Sequence, residues 1–488
     1  MSGTVPEIDR MIGIGVYTTP FPGLGRGYGI RATPDDFVVS EILSPAALRM
    51  IRDPGAGGSD GSDDDGGSSS NGNGGGSNSN ADADASAKGR GYAVYALRKR
   101  GIDTAHALGA IRKMTGVRLK PLGLKDASAV TTQYVCSTGA AGRRLRDISA
   151  SRFGLAFAGY AKRPLTKKQM LGNRFRIRIS GDWSSPGSGG SNRGDATAAA
   201  TAPDPSDFAT YADSVPNFYG YQRFGSGRPV THLVGGALTR GDYDEAVRLI
   251  LEYESPYDTR ERREVRENLA DPALYAQSAR RLPSGMDTEK TVLEGLATHG
   301  DPLRALRAVP LLLRRLYVSA YQSYVFNCTL SAAIAAGESL LDPEPGDVCF
   351  DRNGDLHKYD GTSYAAAMAT GSGGKNGREA GAHGGLVRAR NDAVAIPIVG
   401  YSYYSKTRFA PYVSDVLVDE SVKPRAFFLH EMQEASGEGG FRDAVIQCSG
   451  YAWHDDAKTV EFSLTRGSFA TMLLRELIKP PNPISAGF

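Results

Sequence analysis

Three glycine-rich tracts constrain this chain more than any other feature, because none of them can form part of a packed core. Residues 53–90, 181–204 and 361–385 hold 87 of the 488 residues and 24 of the 60 glycines. Gly/Ser/Asn/Ala sequence of low hydrophobicity buries too little apolar surface to offset its ordering entropy, so each tract reads as a disordered loop. Where the tracts interrupt strand-like sequence they read as long hairpin or connecting loops rather than linkers between domains. The first also carries seven Asp against Lys88 and Arg90, a net −5, so the overall charge of +3 becomes +8 for the remainder. With all three tracts set aside about 400 residues remain, enough for two or three domains, and a charge as moderate as +8 outside the first tract is compatible with a nucleic-acid partner without demanding one.

Several classes drop out. No apolar stretch approaches the ~18 residues of a membrane helix, and the first residues lack a charged-then-apolar targeting pattern, so a soluble, cytoplasmic protein is expected. Four cysteines (Cys136, Cys328, Cys349, Cys448) lie far apart without a C-x-x-C pair. This fits reduced thiols and argues against a cysteine zinc site; no metal is expected. Gly23 to Gly29 offers no G-x-G-x-x-G between a strand and a helix, and Gly374-Lys375 is followed by Asn376, so no nucleotide cofactor is expected. Nothing suggests an obligate interface, and a monomer is expected.

The pattern of elements is α+β. Phe37-Val38-Val39, the run from Tyr92 to Leu97 and β-branched 129–136 read as strands. Asp103 or Thr104 caps a predicted helix that ends at Gly116, with Leu108, Ile111 and Met114 at helical spacing. Residues 174–180 alternate strictly, with Phe175, Ile177 and Ile179 on one face and Arg174, Arg176 and Arg178 on the other. Helical periodicity covers 242–253 and 310–336, and 469–478 reads as a short amphipathic helix. Tyr317, Tyr321 and Tyr324 share one helix face and are expected in the core.

Lys162, Arg163, Lys167, Lys168, Arg174, Arg176 and Arg178 place seven cations in 17 residues with no acid among them. Such a run either tracks a phosphate backbone or is a solvated strand face. Asp126 follows Gly123-Leu124-Lys125 in a turn before a strand, a place where a scaffold presents one side chain to a cleft. Lys125 or another cation would keep it ionised, as nucleophilic attack requires. On spacing alone, an ordinary exposed Lys-Asp turn explains these residues better. The run 217–225, dense in aromatics and glycines, could stack on bases with Arg223 on phosphate, or form a buried aromatic turn. A carboxylate-dependent glycosidase would need a second carboxylate, for which Glu41 or Asp36 can be nominated.

Taken together, ordered blocks resemble a known family. Gly123-Leu124-Lys125-Asp126 followed by Ala129-Val130-Thr131-Thr132-Gln133 is similar to the signature of the TruD family of tRNA pseudouridine synthases. The blocks 34–41, 172–175, 216–225, 320–327 and 467–471 follow in the family's order. The resemblance implies isomerisation of uridine to pseudouridine in RNA, typically at position 13 of tRNA, without metal or cofactor. It implies Asp126 as the catalytic aspartate, Arg31 as its basic partner (usually lysine in the family) and Phe175 as the aromatic that packs on the target base. Phe37, Asn173 and Phe469 match other residues of the nucleotide pocket. The implied fold is a pseudouridine synthase core, residues 1–240 and 452–488, with a large inserted domain at 241–451. The basic strand and the insertion would hold the tRNA body. Ala127 and Ser128 stand where the family is usually basic or bulky. The contrasting expectation is a non-catalytic RNA-binding protein that keeps the same scaffold.

Overall fold

The structure, a computed structural model, describes residues 4–51, 91–125, 127–139, 144–183, 203–267, 269, 271–362 and 392–488. Nearly all of the three glycine tracts, and Asp126 itself, lie outside the described residues.

The fold is α+β. Strands β1 (Phe37–Leu43), β2 (Tyr92–Arg100), β3 (Leu119–Pro121), β4 (Val130–Ser137), β5 (Ile148–Ser149), β6 (Phe153–Ala161) and β7 (Met170–Arg178) come first. Strands β8 (Val348–Phe350), β9 (Leu356–Lys358), β10 (Ala393–Ile398) and β11 (Gly440–Asp443) follow, then β12 (Cys448–His454) and β13 (Thr459–Thr465). One large sheet has the order β12-β13-β7-β1-β4-β2-β6-β5, with β3 alongside β4. Its pairs are antiparallel except β1 with β4. A smaller sheet has the order β11-β10-β8-β9.

The register places residues of like character in rows. Val39 lies opposite Thr131 on one side and Phe175 on the other, and Phe175 lies opposite Phe462. This row marks the front face of the sheet. Phe175 stacks on Phe462 at 5.3 Å and meets Phe37 edge-on at 6.2 Å. Helix α1 (Thr104–Thr115) packs its Ala107 and Ile111 with Tyr95, Leu97 and Val135 of the sheet. Its start is fixed by the Asp103 side chain, which accepts from the His106 N–H at 3.0 Å. Its end is fixed by Gly116 at φ 73°, the left-handed cap that glycine adopts without Cβ strain.

A second core draws on residues from Val230 to Ala435 and is largely helical. Helices α2 (Thr231–Arg240), α3 (Tyr243–Glu252) and α4 (Leu311–Ala335) belong to it. The long α4 also faces the first core: Tyr321 and Val325 belong to the second, Phe326 and Leu330 to the first. Asn327, wholly buried between the two, accepts from the Tyr219 N–H at 2.9 Å and donates to the Ile12 carbonyl at 2.9 Å. Tyr321 stacks on Phe427 at 5.6 Å, in keeping with the core position its spacing predicts.

Helix α5 (Ala470–Ile478) departs from the amphipathic expectation, since all nine of its residues are buried. Its polar residues face a charged cluster instead of water. Arg475 pairs with Asp9 at 2.7 Å and with Glu476 at 2.9 Å, and Glu476 also accepts from the Thr19 N–H at 3.1 Å. A charge can be buried this way only when it is both paired and hydrogen-bonded. The four cysteines are free. Among the described residues no helix is long and apolar enough to cross a membrane, and no group of His, Cys, Asp or Glu is placed to hold a metal.

Candidate active site

Six of the residues singled out in the sequence, from widely separated blocks, meet in one cavity of about 480 Å³ on the front of the large sheet. Arg31, Phe37, Lys125, Asn173, Phe175 and Phe469 all line it. The pleat delivers Phe37, Asn173 and Phe175 from β1 and β7 to the same face, while Phe469 enters from the turn ahead of α5. This volume lies within the range of small-molecule sites.

Arg31 is held unusually. Its backbone has φ 59°, a left-handed conformation that costs a non-glycine residue ~1–3 kcal/mol and that clusters at functional sites. Its guanidinium donates to the Gly487 carbonyl at 3.1 Å and lies 4.2 Å over the Phe37 ring. With the Gln222 amide oxygen turned toward it, Arg31 also donates to Gln222 at 2.9 and 3.0 Å. The charge is therefore aimed by a carbonyl, an amide and an aromatic face.

Lys125 is the last described residue before Asp126 and turns inward. Its Nζ donates to Asn173 Oδ1 at 2.8 Å and forms an ion pair with Glu41 Oε1 at 3.2 Å. Burial raises the Glu41 carboxyl above its ordinary value, opposed by the Lys125 charge and by the Tyr134 N–H, 2.8 Å from Oε2. The turn itself is clamped. Thr104 Oγ1 accepts from the Lys125 N–H at 2.9 Å and donates to Gln133 Oε1 at 2.9 Å. Gln133 Nε2 in turn donates to the Gly123 carbonyl at 2.9 Å. Both clamp residues are fully buried, so the chain leading into Asp126 is fixed from beneath. Sequence reading quoted Gln133 only as part of a block and Thr104 only as a candidate cap. Asp103, which also lines the cavity, likewise stands in the sequence as a candidate cap, and Gln222 and Thr471 as members of the blocks 216–225 and 467–471.

The basic run is divided between one face of a strand and the loop before it. Arg174, Arg176 and Arg178 adjoin the cavity in sequence but project from the back of the sheet, because β7 alternates and Asn173 and Phe175 occupy the front. Nor is that back face an unbalanced field. Arg176 pairs with Glu461 of β13 at 3.3 Å, and Arg178 with Asp36 at 2.5 Å. The acids that balance it arrive from β13 and from the turn before β1, where a linear scan of β7 does not find them. Lys162, Arg163, Lys167 and Lys168 are exposed between β6 and β7. Arg223 is half-buried, 5.3 Å over the Tyr219 ring and 3.3 Å from Ser319 Oγ, within a turn whose Phe218, Tyr221 and Phe224 are buried. The turn is thus a buried aromatic one, which does not exclude a phosphate contact by the half-buried Arg223. Neither Glu41 nor Asp36 lines the cavity: Asp36 accepts from Thr33 and Arg178, and Glu41 accepts from the Tyr134 N–H and pairs with Lys125.

The profile of the family described as tRNA pseudouridine synthase D (TruD) matches residues 11–477. A protein of Methanosarcina mazei named "Probable tRNA pseudouridine synthase D" is 27% identical over 98% of this chain and 99% of its own length. One of Methanopyrus kandleri with the same name is 31% identical over 79% of this chain and 85% of its own. A crystal structure described as that of the "Putative tRNA pseudouridine synthase D (TruD)" from Methanosarcina mazei superposes with a TM-score of 0.64 at 24% identity, covering 97% of this chain and 98% of that one, and shows the same fold. The chain belongs to the tRNA pseudouridine synthase D (TruD) family.

Proposed function

We propose that this pseudouridine synthase acts at uridine 13 of tRNA and that Asp126 is the group that starts the reaction. The observation that carries this reading is convergence: Arg31, Phe37, Asn173, Phe175 and Phe469 line one cavity with Lys125, the residue bonded to Asp126.

The reaction breaks the N1–C1′ bond, turns the uracil and joins C5 to C1′; C5 gives up a proton and N1 ends with one. Nothing is oxidised or reduced and no group leaves, so the balance requires neither metal nor nucleotide cofactor. Asp126 either attacks C1′ or removes a ribose proton. Arg31 would keep its carboxylate ionised and oriented. Phe37, Phe175 and Phe469 would enclose the detached uracil and keep water out. Asn173, braced by Lys125, would present its amide N–H₂ to the base or ribose, because its oxygen already accepts from Nζ. The target nucleotide must leave its stack to enter. We further propose a cytoplasmic monomer with residues 1–240 as the core and the insertion beginning at 241. The insertion would run to 451 and the chain return to the core at 452, a reading supported by the pairing of β12 with β13 at Ala452–Glu461.

The test is pseudouridine formation in unmodified tRNA transcript without added metal. Asp126→Asn should abolish it, and full activity in that variant would sink the assignment. RNA binding by the unaltered protein with no product after long incubation would favour a non-catalytic RNA-binding protein.

A further inference from the structure

A second cavity, of about 340 Å³, lies where the ends of β7 and β13 meet the β8–β9 turn of the smaller sheet. The turn between β13 and α5 is its common wall with the first cavity: Thr465, Arg466 and Gly467 line the second, Ser468 and Phe469 the first. Gly467, exposed at φ 96°, forms the ridge between them, so a chain crossing there meets backbone and no side chain.

The second cavity is cationic. Lys168, Arg352 and Arg466 stand exposed around it, and Arg442 lies buried at its back, held by the Asn217 side chain at 2.8 Å and the Asn217 carbonyl at 2.9 Å. The one carboxylate in the lining, Asp443, is buried. Arg466 is anchored to the Lys167 carbonyl at 2.7 Å, which holds its guanidinium at the rim. The buried Thr465 Oγ1 has no hydrogen-bond partner, an unmet polar group on the same wall.

We infer that this cavity binds the phosphodiester backbone of the RNA strand next to the nucleotide held in the first cavity. The inference rests on the function proposed above, and it assigns to Arg352 and Arg466 the backbone-neutralising role for which sequence nominated the arginines of β7. A run of phosphates explains a cationic, polar cleft that adjoins a base-sized apolar one along the same turn; an acidic protein segment would explain the charge but not the adjacency.

The experiment uses the full chain and unmodified tRNA transcript, with affinity measured by fluorescence anisotropy across a salt series. Arg352→Ala/Arg466→Ala should bind more weakly, and the slope of log K against log salt should become shallower by about 1.4, at ~0.7 per single-strand contact. KM for the transcript should rise while kcat is retained. Arg352→Lys/Arg466→Lys should keep the slope, because charge and not guanidinium geometry neutralises a phosphate. Unchanged affinity and slope in the alanine variant would overturn the inference, as would lysine variants that lose as much as alanine. Each single variant is measured as well, so a fold defect in the pair does not decide the result. If the unaltered protein binds RNA with a slope the variants diminish yet makes no pseudouridine, the activity reading falls and the backbone site stands. No RNA binding by the unaltered protein would overturn both.

Discussion

The two faces of strand β7 differ by one residue in sequence and by the whole thickness of the sheet in space. On the front, Asn173, Phe175 and Ile177 are shielded among aromatic rings, Lys125 and the cavity. On the back, Arg174, Arg176 and Arg178 are exposed, and two of them are matched with acids of β13 and of the turn before β1. The same alternation that makes the strand legible also separates its charge from its chemistry. A cluster of cations next to a catalytic motif in sequence is therefore no guide to where a substrate's phosphates run, because in a strand adjacent residues point in opposite directions.

The contrast is most easily broken by its largest expected effect. Phe175→Ala removes a ring stacked on Phe462 and edge-on to Phe37 and should cost ~3–5 kcal/mol in urea unfolding, with loss of pseudouridine formation. Phe175→Leu should restore much of the stability but little of the activity, because a branched aliphatic chain fills the core without offering a flat face to a base. A Phe175→Leu enzyme at full rate would show that the front face is merely core.

Much of this was legible in the sequence, for identifiable reasons. Strands β1, β2, β4 and β7 combine β-branched or aromatic residues with alternation, and α1 carries both an N-cap and a C-terminal glycine. Six cavity residues could be named because their motifs occur in order, although no local pattern would have brought positions 31, 125 and 469 together. Strand β6, by contrast, reads Phe-Gly-Leu-Ala-Phe-Ala-Gly-Tyr-Ala, whose glycines and alanines blur any period. The three-residue strands β8 and β9 are too short to show one. Helix α5 looks amphipathic because Arg475 and Glu476 are charged, and only the distant Asp9, Thr18 and Thr19 reveal that both are buried. What stayed hidden was tertiary: which partner meets a charge, and from which strand.

Acid titration sharpens the comparison, because carboxylates on the two sides respond in opposite senses. Behind the cavity, burial raises Glu41 above 4.5, so the folded state holds that proton more tightly than the unfolded one. Its contribution is present below 4.5 and is lost as pH rises through the raised folded value. Among the exposed charges, the Arg100 hydrogen bond lowers Asp35 below 3.8, so its contribution is present above 3.8 and lost as pH falls through the depressed value. Urea midpoints for the unaltered protein against Glu41→Gln should therefore move in favour of the unaltered protein on going from pH 8 to pH 4.5. Against Asp35→Asn they should move the other way on going below pH 3.8. Parallel trends would mean that the two carboxylates do not occupy contrasting environments.

The smallest effect is expected on the back of β7, and it is the most informative. Arg176 and Glu461 are 62% and 40% exposed, and an ion pair so open to solvent contributes ~0–1 kcal/mol. Arg176→Ala should leave the unfolding midpoint nearly unchanged. It should also leave tRNA affinity and its salt slope unchanged, since a guanidinium already facing a carboxylate across a strand pair gains little by exchanging it for a phosphate. If Arg176→Ala instead made the slope shallower by about 0.7, that arginine would be touching the strand of RNA, and substrate would have to wrap both faces of the sheet. The cleft formed by Arg352 and Arg466 would then be one contact among many, whereas an unchanged slope leaves the front of the molecule as the face that holds the RNA.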